Sequence, residues 1–308
     1  MDVATKDLSL GPLLFNWAPE KVRDFYFRIA DEADIDVVYF GEAVCAKRRP
    51  FLVPHYEAIL DRLKAGGKQV ILSCLQLAMD RKDMAAVSDM VAMADEYLVE
   101  AGDMAACSLL AGKAYAVGPT VNVYNEATLK FFEAEGARRI SLNAELPEDS
   151  LKALASVATA RLEVQVFGRI PLAISARCFH ARAHGLAKNS CQYVCEKDPD
   201  GLTVETLDHQ SFLAINGLQT LSHHYVNLLE EMPRLAEIGI RGFRLSPHAA
   251  DMIKITNLFR ARLAGWISGE EATHRLAALL PDARFANGFF HGMEGLATLE
   301  ASAAAQPC

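Results

Sequence analysis

Short apolar runs alternate with amphipathic stretches along most of the chain. The runs hold four to eight residues, are rich in aliphatic and β-branched side chains, and end at polar, glycine or proline residues. Such runs are typical of strands buried on both faces. They predict eight strands, at 10–17, 37–41, 69–74, 96–100, 114–117, 139–142, 162–167 and 242–245. Apolar residues at helical spacing predict helices at 20–33, 54–65, 84–95, 104–110, 125–135, 147–158, 225–238 and 249–263.

This alternation of strand and helix predicts a parallel sheet with right-handed crossovers. Eight strands favour an α/β fold of the closed (β/α)8 type, a TIM-like barrel. An open, doubly wound sheet is the alternative. We expect one barrel domain over residues 1–308.

The alternation of strand and helix is interrupted once, between the seventh and eighth predicted strands. The segment at about 169–224 is too long for a loop, and its middle, 201–217, alternates like a hairpin around Asp208 and His209. We interpret the segment as an insertion on the carboxyl-terminal face of the barrel, where barrel enzymes carry their catalytic residues.

Composition narrows the class of protein. The 308 residues are 51% hydrophobic and 23% charged, which predicts a globular core, and their formal net charge of −8 disfavours a nucleic acid as partner. No apolar run is long enough to span a membrane, and residues 1–10 lack the apolar segment of a secretory signal. We therefore expect a cytoplasmic protein.

Seven cysteines need an explanation in such a compartment, where disulfides are rare. Three of them, in the insertion, follow the pattern Cys-x12-Cys-x3-Cys, which indicates metal binding or catalysis. The seven are Cys45, Cys74, Cys107, Cys178, Cys191, Cys195 and Cys308.

Three thiolates are one short of a four-thiolate site. Cys45 follows the second predicted strand, so barrel geometry places it on the same rim as the insertion, with Cys74 at another strand end as the reserve ligand. Cys107 is expected to be an ordinary buried residue and Cys308 to have no role. Four thiolates suit an iron–sulfur cluster or structural zinc, and a purely structural role also remains open. His180 and His184, spaced i, i+4, add a possible imidazole pair.

Residues 163–178 read Glu-Val-Gln-Val-Phe-Gly-Arg-Ile-Pro-Leu-Ala-Ile-Ser-Ala-Arg-Cys. This stretch resembles the signature of the collagenase-like peptidases, unassigned peptidase family 32, in which Glu-Val-Phe-Val-His-Gly-Ala-x-Cys-x-x-x-Ser-Gly-x-Cys is the pattern. Glu163, Gly168, Ser175 and Cys178 match it. Pro171 stands where that family has its first cysteine, and residue 176 is alanine instead of glycine, so the fourth ligand must come from elsewhere.

Residues 41–49, which contain Cys45, together with 10–17 and 287–292, resemble the branch of this family that serves oxygen-independent ubiquinone biosynthesis. The resemblance implies a [4Fe-4S] cluster bound by four cysteines and a heterodimer with a sister protein of the family. It also implies ring hydroxylation without O2. A lipid-tailed substrate would then need a carrier protein to present it. The implied ligands are Cys45, Cys178, Cys191 and Cys195.

Proteolysis is not expected, because the chain has neither a G-x-S-x-G elbow nor an H-E-x-x-H helix. Glu42, Arg177 and His248 are the candidate catalytic residues, and each has a plain packing or surface role as its alternative. Trp17 could stack on an aromatic substrate or close the barrel end. The competing functions are RNA hydroxylation within the same family, a non-catalytic scaffold, and a zinc hydrolase.

Overall fold

The computed structural model describes residues 5–299, and at its centre eight parallel strands close into a barrel. The last barrel strand pairs with both the first and the seventh, which closes the ring. This confirms the (β/α)8 fold and excludes the open sheet. The barrel strands are β1 (Asp7–Leu10), β2 (Val37–Phe40), β3 (Gln69–Ser73), β4 (Leu98–Ala101), β5 (Tyr115–Val117), β6 (Ala137–Ser141), β7 (Arg161–Ile174) and β11 (Gly242–Leu245).

Helices on the outside of the barrel connect the strands. Several begin where an Asp, Asn or Ser side chain accepts a hydrogen bond from a backbone N–H of the first turn, as at Asp80, Asp103 and Asn125. The helices are α1 (Pro19–Glu32), α2 (Arg49–Leu52), α3 (Tyr56–Ala65), α4 (Arg81–Val91), α5 (Met104–Leu110), α6 (Glu126–Ala134), α7 (Glu148–Val157), α8 (Phe179–Ala183), α9 (Met232–Glu237), α10 (Met252–Leu263) and α11 (Gly269–Leu279). Within residues 5–299 no helix is long and apolar enough to cross a membrane.

The insertion begins where β7 continues past the barrel. The outer half of β7 pairs antiparallel with β10 (Gln219–Asn227), which pairs with β9 (Ser211–Asn216), and β9 pairs with β8 (Leu202–Glu205). The expected hairpin around Asp208 and His209 is therefore present, as β8 and β9. Helix α8 and two short 3-10 turns lie between β7 and β8, and a short strand β12 (Phe285–Ala286) pairs with β10.

Two predicted elements were wrong in position. The first strand lies at Asp7–Leu10 rather than 10–17, and Pro12, which has no N–H to give to a ladder, lies two residues beyond its end. The helix predicted at 225–238 is α9 alone, because residues 225–227 belong to β10 and pair with β7. An apolar run fits a strand or a helix, and here the tertiary pairing decides.

Charged side chains fill the middle of the barrel. Glu163 accepts hydrogen bonds from the Tyr39 hydroxyl (3.0 Å) and from Arg139 Nε (2.6 Å), and Arg244 Nη1 lies 3.2 Å from its other oxygen. Burial raises the pKa of Glu163, but the two guanidinium groups outweigh that effect and hold it below its usual value. Arg244 also donates to Glu100 at 2.6 Å. The barrel interior is a paired ionic core and does not form an open channel.

Candidate metal centre

The loop after β2 folds back towards the insertion. Buried Glu42 holds this turn, since its Oε1 accepts hydrogen bonds from the backbone N–H groups of Val44 (2.8 Å) and Cys45 (2.9 Å). Burial raises the pKa of Glu42, partly opposed by Arg48 and by those two backbone bonds. Glu42 therefore positions Cys45, in addition to any acid–base role.

Four cysteines line one small cavity, here called the cysteine cavity: Cys45, Cys178, Cys191 and Cys195. They are the four that the sequence singled out. Cys178 caps the start of α8, where its Sγ accepts from the N–H of Ala181 (3.4 Å) and lies 3.2 Å from the carbonyl oxygen of Gly217. Cys195 is buried and lies in the 3-10 turn Val194–Lys197. The loop after β2 and the insertion thus supply the walls together.

Two cations approach the sulfurs. Lys47 Nζ donates to the carbonyl oxygen of Lys188 (2.8 Å) and lies 3.6 Å from Cys191 Sγ. Arg48 is buried, and its Nη2 lies 3.5 Å from Cys195 Sγ. Positive charge at these distances stabilises thiolates, which are the form that binds metal.

Asn216 ties the insertion to the barrel through four hydrogen bonds. Its Oδ1 accepts from Arg48 Nη2 (2.8 Å) and from the N–H of Asn16 (3.2 Å). Its Nδ2 donates to the carbonyl oxygens of Cys195 (3.0 Å) and Asp198 (2.9 Å). Sequence reasoning missed Asn216, although the Asn-Gly pair at 216–217 is a strong hairpin signal.

The thiols of Cys45 and Cys178 hold their protons more tightly than an exposed cysteine does. Burial raises the pKa of Cys45 to about 11 and also raises that of Cys178. A metal must therefore displace protons when it binds here, so binding depends on pH.

The spacing of the sulfurs bears on which metal fits. Bonds of about 2.3 Å to one zinc ion place tetrahedral sulfurs about 3.8 Å apart. Among residues 5–299, no three cysteine sulfurs lie within 4.8 Å of one another. In a four-iron cluster each thiolate binds a different iron, so wider spacing is required.

The remaining cysteines lie elsewhere. Cys74, the reserve ligand, is buried at the end of β3, and Cys107 is buried in α5. Neither lines the cysteine cavity. Burial raises the pKa of each to about 12. Cys308 lies outside the described residues.

Two candidate catalytic residues lie away from the cysteine cavity. Arg177 is exposed and does not line it. His248 is buried with both ring nitrogens engaged: Nδ1 lies 2.7 Å from Asp200 Oδ1, and Nε2 accepts from the N–H of Arg169 at 3.0 Å. Because neither nitrogen is free to exchange a proton with a substrate, the geometry favours a packing role for His248.

A second cavity, here called the aromatic cavity, lies beside the first. Arg48 and Tyr193 line both cavities, and Glu42 lines the aromatic one. Trp17 forms part of its wall, fixed by a 2.7 Å hydrogen bond from Nε1 to the carbonyl oxygen of Pro199. The other aromatic side chains of the wall are Phe15, Tyr26 and Phe51.

A third cavity lies at the carboxyl-terminal mouth of the barrel. Its wall mixes polar and apolar side chains and includes Arg244, which also belongs to the ionic core. The polar residues that line it are Gln76, Thr120, Asn122, Ser141, Asn143, Glu145, Gln165 and Arg244.

The sequence model of peptidase family U32 matches residues 19–299, nearly the whole chain. The chain belongs to peptidase family U32. Among solved structures it is similar to the U32 peptidase Mk0906, at 15% identity over 80% of this chain and 93% of that one, with a TM-score of 0.46. It is also similar to the homocysteine methyltransferase MmuM from Escherichia coli (9% identity, 83% and 95% covered, TM-score 0.35). A third is a D-allulose 3-epimerase from Methylomonas (13% identity, 89% and 99% covered, TM-score 0.31).

Proposed function

We propose that this family U32 chain is an iron–sulfur protein of the UbiV type. It binds a [4Fe-4S] cluster and works with a UbiU-like partner in the oxygen-independent hydroxylation of a ubiquinone precursor. The observation that supports the proposal most is that Cys45 lies on one cavity with three cysteines more than 130 positions later in the chain. The proposed ligands are Cys45, Cys178, Cys191 and Cys195.

The surroundings of the sulfurs support a cluster with net negative charge. An iron–sulfur cluster supplies one-electron transfer, and hydrogen bonds and nearby charge set its potential. Lys47 and Arg48 place cations beside Cys191 and Cys195, and the N–H of Ala181 donates towards a third sulfur. These groups offset the charge of four thiolates inside the protein.

The aromatic cavity is the proposed position of the substrate ring. Its aromatic wall can stack on a flat ring, and it borders the cysteine cavity through Arg48 and Tyr193. Glu42 is the one acidic side chain that faces this cavity from the β2 loop, and burial keeps its pKa above the usual value. A carboxyl group of this kind holds a proton more tightly than an exposed one and can pass it to a reacting ring.

The partners in this proposal are proteins. A UbiU-like sister chain forms a heterodimer with this one, and a lipid carrier presents the tailed precursor. The resemblance to the UbiV branch supports the heterodimer, and the net charge of −8 argues against RNA as the alternative substrate.

Anaerobic purification tests the cluster first. We expect a brown protein that contains about four iron and four sulfide per chain and gives an electron paramagnetic resonance signal on reduction by dithionite. Cys107→Ala, a buried cysteine in α5, is the matched control and should retain the iron. A colourless protein with stoichiometric zinc would contradict the proposal and favour a zinc site.

Complementation tests the pathway. A strain that lacks its own UbiV and grows without oxygen should regain ubiquinone when this chain is co-expressed with a UbiU-like partner. The two proteins should elute together in size-exclusion chromatography. Retained RNA with no recovery of quinone would favour RNA hydroxylation, and activity that survives loss of the cluster would favour a scaffold role.

A further inference from the structure

Three potential metal ligands outside the cysteine set meet at the end of α8. The ligand atoms of His180, His184 and Asp198 all lie within 4.8 Å of one another. The two histidines are spaced i, i+4, and their rings stack at 5.4 Å between centroids. Asp198 directly follows the 3-10 turn that carries Cys195. The function proposed above uses none of the three.

The hydrogen bond at the far side of the His180 ring fixes its tautomer. Nδ1 lies 3.1 Å from the carbonyl oxygen of Ile215, and a carbonyl oxygen only accepts. Nδ1 therefore carries a proton, and Nε2 presents its lone pair on the opposite side of this fully buried ring. Metal-binding histidines are commonly held in this way by a backbone carbonyl.

The free nitrogen faces a carboxylate. His180 Nε2 lies 3.0 Å from Asp198 Oδ2, yet the oxygen lies outside the directions in which this nitrogen could form a hydrogen bond. A lone pair and a carboxylate oxygen repel each other at this distance. Bonds of about 2.0–2.2 Å to one shared metal ion separate two ligand atoms by about 3.0–3.6 Å. The lone pair of each ligand atom then points at the metal and not at the other ligand atom.

The third ligand lies on the exposed side. His184 Nε2 is 3.9 Å from the same Asp198 oxygen, and its exposed side chain is free to close the remaining distance. The side-chain amide of Asn216 donates a hydrogen bond to the carbonyl oxygen of Asp198, which fixes the backbone from which the carboxylate extends. One buried ligand, one anchored carboxylate and one exposed imidazole leave coordination positions open to solvent.

We propose that His180, His184 and Asp198 bind one divalent first-row transition ion, such as Fe²⁺, Mn²⁺ or Zn²⁺, beside the cysteine cavity. Two imidazoles and one carboxylate with open positions form a 2-His-1-carboxylate site. The ligand atoms are two imidazole nitrogens and one carboxylate oxygen, and none of them belongs to the four cysteines. This site does not rest on the function proposed above.

Titration with Mn²⁺, read from the loss of the free-ion signal in electron paramagnetic resonance, tests the site. Mn²⁺ prefers oxygen ligands such as carboxylate and water to thiolate, so the cysteines contribute little. We expect one Mn²⁺ per chain, displaced by Zn²⁺ at lower concentration because zinc binds more tightly to such ligands. His184→Ala and Asp198→Asn should each weaken binding at least about tenfold, since even removal of an outer-shell partner costs 10–100-fold.

His209→Ala is the matched control, because His209 and Glu205 form an exposed i, i+4 pair with 3.5 Å between nitrogen and oxygen. It should bind Mn²⁺ as the unmodified chain does. The iron content of His184→Ala should also be unchanged, which separates this site from the cysteines. The proposal is overturned if the unmodified chain binds no Mn²⁺ saturably, or if either ligand variant binds as tightly as His209→Ala.

Discussion

A single methyl group added at Gly217 tests how closely the insertion packs against Arg48 of the barrel. It follows β9, has a φ of +66°, and its carbonyl oxygen contacts Cys178. A Cβ at this position would lie 2.4 Å from Arg48 Nη2 and 3.3 Å from its Cζ. The Gly217→Ala substitution therefore drives the guanidinium away from the place where it contacts Cys195 and Asn216.

The expected loss has two parts. A left-handed backbone at a residue other than glycine costs about 1–2 kcal/mol. Displacing Arg48 breaks its 2.8 Å hydrogen bond to Asn216, and a bond of this charged type contributes about 1.5–3 kcal/mol. Together they predict a loss of about 3–4 kcal/mol.

Gly67→Ala is the matched control. Gly67 has a φ of +72°, and a Cβ there would meet nothing within 4 Å, so only the backbone cost applies. The difference of about 2 kcal/mol corresponds to a Tm about 3 °C lower for Gly217→Ala, from the usual unfolding entropy per residue. Far-UV circular dichroism on heating measures both variants. Equal shifts in the two would refute the assigned role of Arg48.

Two further predictions concern charge. Lys47→Met removes a cation 3.6 Å from Cys191 Sγ and should lower the reduction potential of the proposed cluster in a redox titration, because a nearby positive charge favours the reduced form. Lys64→Met is the control: Lys64 pairs with exposed Glu96, and its loss should leave the potential unchanged. An unchanged potential in Lys47→Met would contradict the prediction. Burial raises the pKa of Asp200, but His248 and Arg169 outweigh that effect and hold the pKa well below its usual value. The ionised carboxylate therefore stabilises the folded state at pH values above the unfolded pKa of about 3.9. That stabilisation is lost as the pH falls below this value towards the folded pKa. Asp200→Asn should cost about 3 kcal/mol at pH 7, because it removes the half-buried carboxylate that pairs with buried His248 and Arg169. In urea unfolding the difference from the unmodified chain should shrink at pH 3, and a constant difference would show that another effect is responsible.

The barrel and the neighbourhood of the cysteines could be predicted because both follow from local pattern and simple topology. Alternating strands and helices predict the barrel, and residues that follow parallel strands share one rim, which brings Cys45 near the insertion. The structure has Cys45, and not Cys74, on the cavity of the insertion cysteines. That these four cysteines bind iron stays a prediction.

Long-range pairing was beyond the sequence pattern. Residues 225–227 are apolar enough for a helix, and only their antiparallel partner, the outer half of β7, makes them a strand. The contact of Asp198 with His180 and that of Asn216 with Arg48 could not be predicted for the same reason. Each contact joins two segments whose separation in the sequence follows no helix or strand period. Arg48 stands in a run of three basic residues, 47–49, which is a pattern typical of an exposed surface, and yet it is buried.

The iron content of two single-cysteine variants tests the central claim most directly. Cys45→Ala removes a proposed ligand on the loop after β2, whereas Cys74→Ala removes a buried thiol one strand away at a stability cost on the order of 1 kcal/mol. Purified without oxygen, Cys45→Ala should lose most of its iron and sulfide, as should Cys178→Ala, Cys191→Ala and Cys195→Ala, while Cys74→Ala keeps its full content. Full iron in Cys45→Ala together with loss of iron in Cys74→Ala would contradict the assignment.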